Sequence, residues 1–483
     1  MTNKFFVCFF LLIQIKHSVF CQSSIQKQVD EIIHSKEIKS ANIGIYAIDL
    51  ATNKMIVEVN ANKSFCPASV LKISTTIAAL ETFGGGFTFK TSFGYSGKII
   101  GNELIGDLFA IGNGDPTFGS KYFKNKPELI FQSILQELKT SGIKKITGKI
   151  IVDDGHFDYQ PISPKWIYED FGNYYGAGTY GLNWRDNSYS LFLNSTEKNI
   201  SIDKITPTIE GLTFNNQLKT ADNKKDNAFI FGEPYGYDKK ITGTIPMAQK
   251  SFEIKGAIPD PALQFADELK IYLRKNGIDV SGKSTTTRLI KLNDGEYKIP
   301  TISNILKITS PPLKEIIIHT NMNSDNMYAE SLIKYMDIIS ESSKTLKGGI
   351  GRIMDFWKLK KVNTDEIFFE DGSGLSRFNM VSPSSIVSML QVEFVSKNKK
   401  IFMESLPVAG ISGGMKNIGV NTIAQNNIFA KTGYMTRVRS YAGYMNTKGK
   451  NQIAFSIILN NYSCTDAEAK KVCEKIMLAI VNY

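Results

Sequence analysis

Hydrophobic and polar positions alternate near both ends of the chain. Residues 42–60, NIGIYAIDLATNKMIVEVN, alternate around a turn at 51–54, which predicts a β-hairpin. Toward the C-terminus three further strand-like segments occur, NNIFAKTG, RSYAGYMNTKGK and QIAFSIILNN, and a helix is predicted from about Thr465. Strand patterns at the two ends suggest a single sheet that is built from both termini.

Helical patterns lie between these strands. A short amphipathic helix is predicted at about 24–36, and the run SVLKISTTIAALETF predicts a second helix that ends at 84–86, where glycines occur. From about residue 301 helices return, in PPLKEIIIHTNMNSDNMYAESLIKYMDIIS and PSSIVSMLQVEFVS. Residues 90–300 differ, because they contain many short β-type segments, polar connectors and one clear helix, PALQFADELKIYLRKNGI.

This pattern predicts an α+β protein of two parts. Residues 22–89 and 301–483 form one sheet-and-helix domain, and residues 90–300 form a β-rich insertion of two subdomains. The length of 483 residues suits two or three domains, and the composition, 42% hydrophobic and 21% charged, is that of an ordinary globular protein.

The N-terminus predicts export. Lys4 precedes an apolar run, Phe5–Ile13, that is too short to span a bilayer as a stable helix. We predict a signal peptide at residues 1–21 with cleavage before Gln22, and therefore a location in the periplasm or cell envelope. The alternatives are a lipoprotein anchor on Cys21, which the bulky residue before it argues against, and an uncleaved anchor helix.

Charge and cysteine content exclude several classes. The net charge of +11 is spread along the chain rather than gathered in blocks, which argues against nucleic acid as a partner but allows peripheral association with an anionic membrane. No HExxH motif and no Cys/His cluster occurs, so neither a metal nor a cofactor is predicted. After cleavage Cys66, Cys464 and Cys473 remain. We expect all three to be reduced or buried, because nine helical residues would separate Cys464 from Cys473 by ~13 Å.

Ser69 and Lys72 stand three positions apart at the start of an apolar helical run. Positions i and i+3 share one helix face, so this lysine could take a proton from this serine. The Ser-x-x-Lys spacing alone is a weak signal, because it recurs at Ser24/Lys27, Ser141/Lys144, Ser195/Lys198, Ser201/Lys204, Ser331/Lys334 and Ser396/Lys399.

A histidine-dependent serine hydrolase is not supported. GISGG at 410–414 fits the nucleophile-elbow pattern at Ser412, but this site needs a histidine later in the chain, and the four histidines are at positions 17, 34, 156 and 319. A lysine can replace histidine as the base if burial or a nearby cation lowers its pKa. The site should therefore contain a second positive group, and the helix N-terminus would add backbone N–H groups for an oxyanion.

Two further tripeptides supply these needs. SDN at 324–326 offers a hydroxyl that can relay a proton and an amide that can hold a peptide group. KTG at 431–433 offers a cation, a hydroxyl and a glycine that allows close approach to the strand. Alone, the first is better interpreted as a helix cap and the second as a strand-to-turn junction. The ordered set of three motifs is far more specific.

In this order the motifs resemble those of the penicillin-binding proteins and serine β-lactamases. The long gap between Ser69 and Ser324 is similar to that of the class C low-molecular-mass D-alanyl-D-alanine carboxypeptidases/endopeptidases, peptidase family S13. The stretches PASVLK, GNGDPTF, YGLNWRDNS, TSPPLKEI, SDNMYAE, DGSGLSRFN, LPVAGISGG and AKTG extend the likeness over nearly the whole chain. The resemblance implies a β-lactamase/transpeptidase-like domain, with a five-stranded antiparallel sheet flanked by helices and a helical subdomain.

The resemblance also implies a mechanism. Ser69 would attack the carbonyl between two D-alanines of a peptidoglycan stem peptide, Lys72 would accept its proton, and Ser324 would pass a proton to the leaving amine. β-Lactams would acylate the same serine and leave slowly. The residues expected to bind substrate are Asn326 for its backbone, Lys431, Thr432 and Gly433 for its terminal carboxylate, and Tyr434, whose N–H would complete the oxyanion hole with that of Ser69.

Departures from the family pattern leave the leaving-group preference open. Tyr434 replaces the usual threonine after KTG, Arg437 stands where a glycine is common, and GGMKN at 413–417 replaces a commoner Gly-Thr-Leu. The balance between carboxypeptidase and endopeptidase activity is therefore not predicted.

Two other functions compete with this interpretation. A class A-type β-lactamase needs a deacylating glutamate in E-x-x-x-N, and no glutamate within 327–430 has asparagine four places later. A non-hydrolytic β-lactam sensor would acylate without turnover, which the intact set of motifs disfavours.

Overall fold

The computed structural model describes residues 24–222, 224–338 and 345–483, so the predicted signal peptide and its cleavage position lie outside the described residues. The α-helices of these ranges are α1 (24–33), α2 (Lys72–Phe83), α3 (Pro127–Thr140), α4 (Pro261–Lys275), α5 (Thr287–Asp294), α6 (Leu313–Asn323), α7 (Asn326–Ile338), α8 (Leu346–Leu359), α9 (Pro383–Phe394), α10 (Lys399–Ser405) and α11 (Asp466–Val481). None of them is long and apolar enough to cross a membrane.

The strands follow the same chain order. They are β1 (Asn42–Asp49), β2 (Met55–Val59), β3 (Lys90–Tyr95), β4 (Lys98–Ile100), β5 (Glu103–Ile105), β6 (Leu108–Ile111), β7 (Lys145–Ile146), β8 (Ile150–Asp153), β9 (Ser188–Ser195), β10 (Ile200–Thr206), β11 (Thr213–Asn216), β12 (Lys219–Ala221), β13 (Asn227–Phe231), β14 (Asp238–Pro246), β15 (Phe252–Ala257), β16 (Asp279–Val280), β17 (Thr285–Thr286), β18 (Ser303–Thr309), β19 (Ile428–Met435), β20 (Val438–Asn446) and β21 (Gln452–Asn460).

Contacts between residues divide the chain into two compact units. The first contains the described residues of 24–85, 317–325 and 350–483, and the second those of 86–316 and 326–349. These units group residues by their contacts, whereas the predicted boundaries at 89/90 and 300/301 separate domains that would fold independently. The predicted domains therefore stay a prediction.

A five-stranded antiparallel sheet forms the centre of the first unit. Its strand order is β19-β20-β21-β1-β2, so the N-terminal hairpin pairs directly with the C-terminal strands. Asn42 of β1 lies opposite Asn460 of β21. The predicted sheet built from both termini is thereby confirmed, because β21 pairs with β1 on one side and with β20 on the other.

Helices cover both faces of this sheet. α1 and α11 bury one face in a core that includes Ile45, Ile457 and Ile476, while α9 packs on β1 and β21 and contacts α2. α11 begins with a capping box, in which the Thr465 hydroxyl accepts from the Glu468 N–H and the Glu468 carboxylate accepts from the Thr465 N–H. This cap explains why the predicted helix begins at this residue.

The second unit is β-rich and has two hydrophobic cores. One core packs α3 and α4 against the sheets β17-β8-β6-β3-β18 and β16-β7-β5-β4, and the other lies between β10-β9-β15 and the sheet of β11 to β14. The sequence predicted one helix within 90–300, and this was wrong, because α3 and α5 are also helices. In α3, Ile130, Ile134 and Leu138 recur every four residues and are buried on one face.

Candidate active site

Ser69 lies in a short 3-10 turn, Ala68–Leu71, directly before α2. This corrects the prediction that Ser69 belongs to the α-helix itself. In a 3-10 turn the side chains at i and i+3 eclipse, which brings Lys72 to Ser69. The fully buried Lys72 Nζ donates to Ser69 Oγ at 3.0 Å, while Ser69 is half-buried. Ala68 has φ +47°, so the turn holds the serine by means of an uncommon backbone conformation.

The loop at 371–374 holds the second contact of Lys72. The ammonium group donates to the Ser373 carbonyl at 2.6 Å. The fully buried Asp371 carboxylate shapes this loop, because it accepts from the N–H groups of Gly374 at 2.7 Å and Ser376 at 2.6 Å. Gly374 has φ +82°, and a Cβ there would overlap the Ala68 carbonyl. The loop therefore holds the Lys72 side chain in place and packs against the turn that contains Ser69.

Ser324 and Lys431 form a second serine–lysine pair, in which the lysine is buried and the serine half-buried. Ser324, with φ +60°, lies between α6 and α7, and its hydroxyl accepts from Lys431 Nζ at 2.9 Å. The Lys431 ammonium also donates to the Thr432 carbonyl at 2.8 Å, and the residue is fully buried. Burial lowers the pKa of Lys431 well below its usual range, and the positive charge of Lys72 lowers it further. The two serine–lysine pairs thus lie within electrostatic reach of one another.

The KTG motif lies within β19 rather than at its end, which corrects its predicted position. Gly433 is opposite Ser440 on β20, and a Cβ at Gly433 would overlap the Ser440 hydroxyl and lie 2.7 Å from the Pro67 carbonyl. The Ser440 hydroxyl also donates to this Pro67 carbonyl. The glycine therefore lets the strand approach the turn that contains Ser69.

The glycine-rich loop at 410–414 packs on the same strand. A Cβ at Gly414 would overlap the Thr432 hydroxyl, and one at Gly413 would lie 2.9 Å from the Met322 carbonyl at the end of α6. Ser412, which fitted the nucleophile-elbow pattern, uses its hydroxyl to accept from the Val408 N–H at 3.1 Å. Its position in a short turn is that of a structural serine.

Tyr434 points its ring toward solvent at the end of this strand. The ring is 53% exposed, its hydroxyl donates to the Asp466 carboxylate, and the Arg439 guanidinium lies 4.5 Å from the ring centroid. The hydrogen bond to Asp466 raises the pKa of Tyr434. The residue that departs from the family pattern is therefore held by two neighbouring charged groups.

Asn326 belongs to the second unit, where it begins α7. Its side-chain nitrogen donates to the Tyr175 carbonyl at 2.8 Å. The structure therefore forms two hydrogen-bonded pairs from the predicted residues, Ser69 with Lys72 and Ser324 with Lys431, and places Thr432, Gly433 and Tyr434 on β19. It relates Asn326 to these pairs only through its position in the chain, two residues after Ser324.

The sequence did not reveal the roles of the Ser373 carbonyl, the Asp371 carboxylate or Gly414. The first two lie in DGSGLSRFN, which was noted only as part of the resemblance. Backbone carbonyls carry no sequence signal, so the partner of Lys72 could not be identified. The cysteines of the described residues are Cys66, Cys464 and Cys473; they are free, and Cys66 and Cys473 are buried. Among the described residues, no group of three or more His, Cys, Asp or Glu side chains could hold a metal ion.

Comparisons with known proteins identify the family of this chain. The model of the D-Ala-D-Ala carboxypeptidase 3 (S13) family matches residues 25–482. D-alanyl-D-alanine carboxypeptidase DacB of Haemophilus influenzae is 27% identical over 443 residues, which cover 89% of this chain and 88% of the relative. D-alanyl-D-alanine carboxypeptidase of an Actinomadura species is 24% identical over 460 residues, which cover 91% and 82%.

Solved structures show the same fold. The crystal structure of penicillin-binding protein 4 of Haemophilus influenzae aligns with a TM-score of 0.79 at 24% identity, covering 94% of this chain and 98% of that one. A predatory peptidoglycan endopeptidase of Bdellovibrio bacteriovorus, Bd3459, aligns with a TM-score of 0.52 at 16% identity, covering 92% and 93%. The predicted β-lactamase/transpeptidase-like fold is confirmed. The chain belongs to the D-Ala-D-Ala carboxypeptidase 3 (S13) family, and it is an enzyme of the serine-type D-Ala-D-Ala carboxypeptidase class that acts on peptidoglycan, as the resemblance predicted.

Proposed function

We propose that Ser69 is the nucleophile of this peptidase and forms an acyl-enzyme with the penultimate D-alanine of a peptidoglycan stem peptide. The observation that carries the proposal is the 3.0 Å hydrogen bond between Ser69 Oγ and the buried amine of Lys72, beside the second buried amine of Lys431. Burial and the charge of Lys72 lower the pKa of Lys431, so the two neighbouring amines do not readily hold a proton at the same time. In the proposed mechanism Lys72 is the neutral amine, which accepts the hydroxyl proton of Ser69, and Lys431 is the charged one.

In the proposed acylation, the Ser69 oxygen bonds to the substrate carbonyl carbon and its proton passes to Lys72 Nζ. The peptide C–N bond then breaks, and the proton held by Lys72 passes through Ser324 to the leaving amine of D-alanine. Lys431 supports this transfer, because its ammonium donates to Ser324 Oγ and so orients the hydroxyl. Water releases the acyl group by the reverse sequence of proton transfers.

The proposed substrate contacts follow the motifs. Lys431, Thr432 and Gly433 bind the terminal carboxylate, and Asn326 binds the substrate backbone. The N–H groups of Ser69 and Tyr434 stabilise the oxyanion. Support for the carboxylate contact comes from β19, where the half-buried Thr432 hydroxyl lies next to the positive charge of Lys431.

Endopeptidase activity on D-Ala cross-links, action in the periplasm or cell envelope and inhibition by β-lactams are part of the same proposal. The acylation of Bd3459 by penicillin G supports the last point, and the peptidoglycan endopeptidase activity of Bd3459 supports the first. We further propose that residues 22–89 and 301–483 form the catalytic domain and that residues 90–300 form an accessory insertion.

The test combines covalent labelling with turnover. Wild-type protein should retain a fluorescent penicillin and release D-alanine from a D-Ala-D-Ala peptide, and Ser69→Ala should abolish both. Ser412→Ala is the matched control and should keep both, because Ser412 serves only the loop. Rapid loss of label with hydrolysis of the drug would instead indicate a β-lactamase, and stable label without peptide cleavage would indicate a sensor. Label retained in Ser69→Ala would disprove the proposed nucleophile.

A further inference from the structure

Two aliphatic side chains stand exposed at helix ends in the first unit. Leu359, the last residue of α8, is 83% exposed, and Val395, directly after α9, is 84% exposed. These are the two highest exposures among the large hydrophobic residues of the described ranges. A single exposed aliphatic residue is common on protein surfaces, so a partner can be inferred only from what surrounds these two.

A shared carboxylate joins the two helix ends. Glu81 of α2 lies 3.6 Å from the ammonium of Lys360, the residue after Leu359. The same carboxylate accepts a hydrogen bond from the hydroxyl of Ser396, the residue after Val395. The two exposed side chains therefore belong to neighbouring segments that both contact the Glu81 carboxylate.

Lysines surround both positions. The stretches 355–361 and 392–404 contain six lysines, and their exposed acidic residues are Asp355 and Glu404. The lysines are Lys358, Lys360, Lys361, Lys397, Lys399 and Lys400. Glu81 is mostly covered, with a side chain that is 13% exposed. Lys360 pairs with Glu81 and Lys400 with Glu404, so the surface keeps a smaller excess of positive charge around its two apolar side chains.

Next to each of the two exposed side chains, a lysine lies over an aromatic ring. Lys399 Nζ lies 3.4 Å from the ring centroid of Phe394, and Lys360 Nζ lies 5.6 Å from that of Phe356. Lysine stems can cover apolar rings in this way while the charged ends stay at the surface. Below the layer of charge the surface is thus apolar.

We propose that Leu359 and Val395, with the six lysines around them, form a surface that docks this protein on an anionic lipid bilayer. We call it the Leu359–Val395 surface. The aliphatic side chains would enter the boundary between head groups and acyl chains, and the lysines would contact anionic head groups.

A protein partner fits this surface less well than a lipid surface does. The centres of protein–protein interfaces are poor in lysine and rich in large aromatic residues and arginine. Here lysine is the main residue type, and the exposed large hydrophobic residues of the two stretches are the aliphatic Leu359 and Val395. A membrane fits this composition, because its binding combines the burial of aliphatic side chains with the attraction of lysines to anionic lipids.

The test measures sedimentation of the exported protein with lipid vesicles. Vesicles of equal parts phosphatidylglycerol and phosphatidylcholine should bind wild-type protein, and pure phosphatidylcholine vesicles should bind it at least about 25-fold more weakly. Added salt should weaken the binding, because it screens the attraction between lysines and head groups.

Two variants separate the contributions. Lys358→Glu with Lys361→Glu should weaken binding to the mixed vesicles by about 25-fold or more, since each lysine near such a surface is worth about fivefold. Leu359→Ser with Val395→Ser should weaken it by about tenfold or more. The matched controls in the second unit are Lys139→Glu with Lys144→Glu, which makes the same change of charge, and Leu292→Ser, at a residue that is 73% exposed. The controls should bind as wild type does.

Several results would overturn the proposal. These are equal binding to both kinds of vesicle, absence of wild-type binding to the mixed vesicles, and equal loss in the controls and the surface variants. Concentration-dependent dimerisation that only the surface variants abolish would assign this surface to a second copy of the chain instead. Release of D-alanine from a soluble peptide checks that every variant is folded, and it should stay at the wild-type level.

Discussion

Lys72 and Lys431 make matching contacts but reach them in different ways. Each is fully buried, and each donates one hydrogen bond to a serine hydroxyl and one to a backbone carbonyl. Lys72 contacts a serine three residues away in the chain, whereas Lys431 contacts Ser324 because β19 packs near the end of α6. The first pair is thus set by local geometry and the second by the fold. In the proposed mechanism the local pair transfers a proton along a fixed contact, while the distant pair provides a second hydroxyl and a positive charge.

The largest expected effect comes from removing the local base. Lys72→Met keeps much of the side-chain volume but has no amine to accept the proton of Ser69. Acylation by a fluorescent penicillin should slow by about 10⁴-fold or more. The control is Lys144→Met, which removes the lysine of another Ser-x-x-Lys pair and should acylate normally. If Lys72→Met keeps a tenth of the wild-type rate, Lys72 is not the base.

Removing the hydroxyl of the distant pair should cost less. Ser324→Ala should slow the release of D-alanine by about 10²- to 10³-fold, because water can partly replace the proton relay. Ser324 has φ +60°, which alanine tolerates poorly and glycine tolerates well. Ser324→Gly is therefore the matched variant, and it should be equally slow. Recovery of activity in the glycine variant would mean that backbone strain, rather than loss of the hydroxyl, caused the defect.

A methyl group added at Gly433 of β19 should destabilise the protein. In Gly433→Ala the new Cβ overlaps the Ser440 hydroxyl and approaches the Pro67 carbonyl, so the strand must move away from the turn of Ser69. We expect a loss of about 1–3 kcal/mol in the free energy of unfolding, measured by denaturant titration. Gly86→Ala is the control, since nothing lies within 4 Å of its added Cβ. Equal stability of the two variants would contradict the close approach.

The smallest expected effect is a change in the pH dependence of stability. Burial and the charge of Lys72 lower the pKa of Lys431 in the folded protein. Between this lowered pKa and about 10.4, the unfolded chain binds more protons, so the contribution of Lys431 to stability rises with pH. Relative to Lys431→Met, wild-type protein should therefore gain thermal stability as the pH rises from about 7 to about 10. A constant difference in Tm across this range would show that Lys431 keeps an ordinary pKa.

Sequence predicted the elements whose signals are local. The hairpin of β1 and β2, the run of α2 and the start of α11 follow from alternation, periodicity and a capping residue. The helix α3 was not predicted, although Ile130, Ile134 and Leu138 repeat at helical spacing. The short β-type segments around it led to the prediction that the whole region is β-rich. Local signals thus gave most of the first unit and less of the second.

The candidate site shows the same division. Spacing suggested the contact between Ser69 and Lys72, and the geometry agrees with it. No spacing could suggest that Lys72 also contacts the Ser373 carbonyl, or that Gly414 leaves room for Thr432, because these contacts join segments far apart in the chain. The catalytic and substrate-binding roles of the predicted residues stay predictions, which the variants above test.

The pairing of Asn42 with Asn460 has a consequence for how the protein matures. β1 precedes its neighbour β21 by about 400 residues in the chain, so the central sheet forms only after the long segment between them has been synthesised. Closing so long a loop is slow compared with forming a local hairpin. A nascent chain that ends before β21 therefore lacks the completed central sheet, on which the turn of Ser69 packs through β19 and β20.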